Sequence, residues 1–156
     1  MPNIKDVRYV KFRVSDLGKQ QQFLHDFGLH TSIDEGVLVA RGTDTSPYIY
    51  LAEEGPTPAF ASVGFLADSE AQLREIAAID GVAVTENPLV GGGLIAQLTD
   101  PNGFTVDIVA NIADAAPLTV ADRSGFNQGD AKQRLGERVT FTQADCFIKR
   151  LGHVVL

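Results

Sequence analysis

Three histidines and one cysteine carry the strongest chemistry in this chain, and their spacing keeps them apart. His153 heads the apolar run His153-Val154-Val155-Leu156, after Arg150-Leu151-Gly152, and imidazole is a common metal ligand. Taken by itself it is more simply a half-buried core histidine. His25 and His30 are separated by Gly28, share no helix face and read as surface or capping groups. Cys146 has no adjacent histidine or basic residue to activate it as a nucleophile. Gly91-Gly92-Gly93 lacks the lysine and following helix of a phosphate loop and reads as a hairpin.

The elements that must position such groups repeat. Val10 to Asp16 and Val63 to Asp68 are alternating strands, offset by 53 residues (63 − 10), each ending in an aspartate suited to cap a following helix. The spacing predicts helices over 17–27 and 69–79. The first carries Leu17, Phe23, Leu24 and Phe27 on its apolar side; the second carries Leu73, Ile76, Ala77 and Ile79. Three strands follow each helix: His30–Asp34, Val37–Arg41 and Tyr48–Glu53, then Val82–Glu86, Leu94–Thr99 and Phe104–Val109. Turn sequences at Glu35-Gly36, Thr43 to Pro47, Gly91 to Gly93 and Asp100 to Gly103 separate them. Each half therefore reads β-α-β-β-β. Tyr9, Tyr48 and Tyr50 fit strand positions, where tyrosine is common.

Composition narrows the partners. The chain has 156 residues, 44% apolar and 21% charged, enough to bury about 68–70% of its unfolded surface without disulfides. Its charge of −7, with no Lys/Arg cluster, argues against nucleic acid. No apolar run reaches the roughly 18 residues of a membrane span. The lone cysteine and the absence of a signal-peptide pattern make the expected location cytoplasmic.

Two βαβββ units in tandem, with Asp100-Pro101-Asn102-Gly103-Phe104-Thr105-Val106-Asp107-Ile108 entering the last strand, resemble the vicinal-oxygen-chelate superfamily of glyoxalases, bleomycin-resistance proteins and type I extradiol dioxygenases. The resemblance implies an α+β fold with mixed sheets curled into a cup. It makes residues 1–112 one module, with halves of about 1–57 and 58–112. Residues 113–148 then form a linker with a helical turn near Asp130–Leu135, and 149–156 the first strand of a truncated second module. The join looks most like that of an extradiol ring-cleavage dioxygenase.

In that family two histidines and a carboxylate hold Fe(II), or Mn(II) in some members. Aligned on the strand starts, those positions in the first module fall on Tyr9, about Ser62 and Asp107, so this module resembles one that has lost its site. His153 matches the first metal ligand of the second module. The implied function is the non-metal-binding N-terminal part of a dioxygenase acting on a catechol-like diol and O2, in a homo-oligomer, the chain alone binding no metal and being inactive. The alternative is a non-catalytic dimeric small-molecule-binding protein of the bleomycin-resistance type, with the terminal strand open to exchange between copies. A metal lyase is a weaker third reading, because its ligands are not found.

Overall fold

A computed structural model describes residues 3–119 and 148–155. The order is β1 (Ile4–Val14), α1 (Leu17–Asp26), β2 (His30–Asp34), β3 (Val37–Arg41), β4 (Tyr50–Glu54), β5 (Ala59–Ala67), α2 (Glu70–Asp80), β6 (Val84–Glu86), β7 (Leu94–Thr99) and β8 (Thr105–Ala110). This is βαβββ twice over. All eight strands form one mixed sheet in the order β2-β3-β4-β1-β5-β8-β7-β6. Within each half the first strand pairs parallel with the last, β1 with β4 and β5 with β8, and the halves join through antiparallel β1 and β5. Val10 stands opposite Val63 in that central pair, so the 53-residue offset becomes a local two-fold relation between the halves.

Both helices lie on one face. Leu24 of α1 packs with Leu38, Ala40 and Ala52, and Leu73 and Ala77 of α2 pack with Ala96, Ile108 and Ala110. Strand register places these partners on the same side as Val10 and Val63. The opposite, open face holds its own cluster of Tyr9, Val39, Tyr48, Leu51 and Val109, beneath Leu89, Ile95 and Ile112.

Local chemistry explains most boundaries. The Asp16 carboxylate accepts from Lys19 N–H at 2.9 Å and starts α1, while Gly81, at φ 67°, closes α2 in the left-handed conformation that costs glycine little. The cap of α2 corrects the sequence reading: Ser69, not Asp68, accepts from Gln72 N–H at 3.3 Å. Strand β5 runs on to Ala67, so the capping position falls two residues further along.

The helical stripes are also narrower than expected. Phe23 and Phe27 are 57% and 65% exposed, and Ile79 is 69% exposed. At about 3.6 residues per turn, Leu17 and Leu24 point the same way while Phe23 and Phe27 fall on the flank. There their rings stack on one another at 6.0 Å.

Strands β2, β3 and β7 match the predicted spans, whereas β1 and β5 are longer. Register shifts at Ile4/Asp6, Val7/Tyr9 and Lys11/Phe12 break the alternation that would have shown the full length of the central pair. Residues 148–155 carry no strand, and the predicted helical turn at 130–135 and Cys146 lie outside the described residues. Among the described residues no helix is long and apolar enough to cross a membrane.

Candidate functional site

The register of the open face assembles a cluster of buried polar groups that joins both halves. Gly64 on β5 pairs with Tyr9 on β1 and with Asp107 on β8, and Asp107 pairs with Gln97 on β7. The four residues therefore form a row across four strands. Gly64 has no side chain, and a Cβ there would lie 2.3 Å from Cε1 of Tyr9, so the phenol ring lies over the glycine toward the carboxylate.

The Tyr9 hydroxyl donates to Oδ2 of Asp107 at 2.9 Å, and the Ser62 hydroxyl donates to the same oxygen at 2.5 Å. Gln97 Nε2 donates to Oδ1 at 2.9 Å. Tyr9, Ser62 and Asp107 are 1%, 2% and 2% exposed, so these three are closed to solvent, while Gln97 stands exposed at the end of the row. The Asp107 carboxylate is satisfied on both oxygens by neutral donors.

A second seam adjoins it. The Tyr9 and Tyr48 rings meet edge-on at 5.3 Å, and the Tyr48 hydroxyl accepts from Nδ2 of Asn87 at 2.9 Å. Burial raises the Tyr9 phenol well above its ordinary range, and the neighbouring Asp107 charge and hydrogen bond raise it further. Burial raises Tyr48 as well, opposed by the Asn87 hydrogen bond and the Arg8 charge. Arg8 approaches Asp114 at 3.5 Å, and its buried Nε has no hydrogen-bond partner among the described residues.

The structure thus brings together Tyr9, Ser62 and Asp107, the three residues at which the family resemblance leads us to expect the metal-ligand positions. It adds Gly64 and Gln97, which the sequence reading missed; a glycine inside the apolar run Val63-Gly64-Phe65 was the available signal. In the first half the position beside Tyr50 that corresponds to Asp107 beside Val106 is Leu51, an apolar residue. Each half therefore supplies a different residue to the same place.

The histidines do not join this cluster. His25 is exposed near the end of α1, His30 lies on edge strand β2, and His153 is exposed in the segment 148–155. Among the described residues no group of three or more His, Cys, Asp or Glu side chains could hold a metal ion. Of the three tyrosines, Tyr50 lies on the helix-bearing face, stacked with Phe12 at 5.4 Å. A separate open groove of about 520 Å³ runs along β2, with His30, Ser32 and Asp34 facing Val39, Pro47 and Val90.

No family model matches the chain, and no curated protein matches it. Solved structures do. A Mn(II)-bound glyoxalase from Novosphingobium aromaticivorans superposes with a TM-score of 0.69 at 18% identity, over 80% of this chain and 45% of its own. Homoprotocatechuate 2,3-dioxygenase from Brevibacterium fuscum, in an anaerobic complex with 3,4-dihydroxyphenylacetate, gives 0.67 at 21%, over 75% and 40%. An extradiol ring-cleaving dioxygenase from B. fuscum gives 0.64 at 20%, over 73% and 34%. The chain thus spans less than half the length of each of these structures.

Proposed function

We propose, from a chain whose fold is that of the vicinal-oxygen-chelate proteins, that residues 1–112 are the non-metal-binding module of an extradiol dioxygenase. The observation that carries this reading is the closed cluster at Tyr9, Ser62 and Asp107. At the positions where the resemblance places a metal, a phenol and a hydroxyl are weak neutral donors, and both are spent on the carboxylate that would be the third ligand. Gln97 holds the other carboxylate oxygen. These residues do not fit Fe(II) or Mn(II).

In the proposed complete protein the metal and the catechol-like diol belong to a second module, which cleaves the ring with O2 and whose first ligand is His153. The present module supplies scaffold and subunit contacts in a cytoplasmic homo-oligomer. By itself it does not turn over.

A dimeric small-molecule binder is the second reading, favoured by the groove along β2 with its polar edge and apolar wall. One anaerobic experiment tests the metal claim. The chain titrated with Fe(II) and then exposed to a catechol and O2 should hold no ion tightly and form no yellow ring-cleavage product. A tight stoichiometric ion would overturn the reading. Calorimetric titration with aromatic diols addresses the alternative, because saturable binding by the metal-free chain would favour the binder.

A further inference from the structure

The loop between β3 and β4 meets two separate stretches of chain. On one side Leu118 N–H donates to the Thr43 carbonyl at 2.9 Å and Ala115 N–H to the Thr45 carbonyl at 2.8 Å. Arg41 Nη2 donates to the Ala116 carbonyl at 2.8 Å. On the other side Thr43 N–H donates to the Ile148 carbonyl at 2.8 Å, and the Thr43 hydroxyl reaches that same oxygen at 3.3 Å. Asp44 N–H donates to the Lys149 carbonyl at 3.3 Å. Residues 118 and 148 are thus bonded to one and the same residue.

Gly42 admits the returning segment. A Cβ there would stand 2.2 Å from the Lys149 carbonyl oxygen and 2.6 Å from that of Ile148, which no neighbouring backbone could accommodate without moving. Its backbone is outside the left-handed region, so the missing side chain serves close approach and not a turn. Beyond the notch, Ile148 and Leu151 pack on the core of Leu24, Leu29 and Leu38, and Arg150 pairs with Asp6 at 3.1 Å.

We infer that Gly42–Asp44 is a docking notch for residues 148–151, and that this notch, and not a sheet edge, sets the position of His153 relative to the first half-unit. A domain continuing from this segment would be held in fixed register instead of swinging on a tether. Only that consequence rests on the dioxygenase reading; the docking itself is a property of this chain.

Amide hydrogen exchange by NMR on the full chain tests it. Thr43 and Asp44 amides should be protected, and Gly42→Ala, which fills the notch without straining the backbone, should speed both by about a hundredfold or more. Amides of the β7–β8 pair should stay slow, and the ¹⁵N heteronuclear NOE of Gly152 and His153 should fall. Gly36→Ala has the opposite character, with a positive φ and open space, and should leave Thr43 and Asp44 protected. Should Gly42→Ala unfold the chain, Ile148→Ser with Leu151→Ser strips the anchor from the other side and should expose the same two amides. Unprotected Thr43 and Asp44 in the wild type, or protection unchanged in the notch-filling and anchor variants, would overturn the inference.

Discussion

Replacing Asp107 tests whether the buried cluster is a unit that stabilises the fold. Asp107→Ala removes the acceptor of three hydrogen bonds. Gln97 is exposed and can turn to water, so the penalty falls on Tyr9 and Ser62, whose hydroxyls are sealed in. Two buried donors left without an acceptor cost about 2–6 kcal/mol together, and the vacated side-chain volume adds about 1 kcal/mol, giving about 3–7 kcal/mol. That is a large share of the roughly 5–15 kcal/mol by which a domain is stable.

Asp107→Asn keeps one oxygen for the two hydroxyls, and Gln97 can flip its amide to accept from the new one. It should cost about 1–2 kcal/mol. The combination Tyr9→Phe, Ser62→Ala and Asp107→Leu removes donors with the acceptor and should be more stable than Asp107→Ala alone. Urea unfolding followed by circular dichroism measures all three. At an m-value of about 1.5 kcal/mol/M, the alanine variant should lose about 2 M or more in midpoint. A loss under about 1 kcal/mol, or an alanine variant no worse than the asparagine one, would refute the reasoning.

The corrected helix cap gives a second prediction. Ser69→Ala should lower stability by about 0.5–2 kcal/mol, whereas Asp68→Ala, at an exposed position outside the cap, should stay within about 0.5 kcal/mol in the same urea assay. The third concerns acid. The Lys19 backbone N–H holds the Asp16 carboxyl below its ordinary range, so its contribution is present above the unfolded value near 4 and is lost as pH falls through the folded one. Asp16→Asn should flatten the acid limb of the melting-temperature curve. The fourth concerns base: burial raises all three tyrosines, so the stability they confer is complete below about pH 10 and is lost as pH rises through the folded values. Tyrosinate absorbance near 295 nm should therefore appear together with unfolding, and ordinary titration of Tyr9 and Tyr48 in the folded chain would contradict their burial.

Much of the architecture was legible because it is written in short-range chemistry. Turn sequences set off His30–Asp34, Val37–Arg41 and Leu94–Thr99 as strands, and Asp16 marked a helix start. The offset between Val10 and Val63 exposed the duplication, which the sheet then realised as a cross-strand pair. The extra length of β1 was hidden because its bulges break the two-residue period, and Ser69 was hidden because Asp68 is an equally good cap by type.

What the sequence determined alone is the duplicated βαβββ plan, since it follows from residue type and local spacing; that Tyr9 and Ser62 stand where histidines are expected is implied only by the family resemblance. Tertiary structure decided that those residues close upon Asp107. Tyr9 and Asp107 lie 98 residues apart, and they meet only because β5 pairs with β1 on one side and β8 on the other, with a glycine between them over which a phenol can reach. The seating of residues 148–151 at Gly42 was likewise invisible, because a close approach of two backbones leaves no periodic trace in either segment.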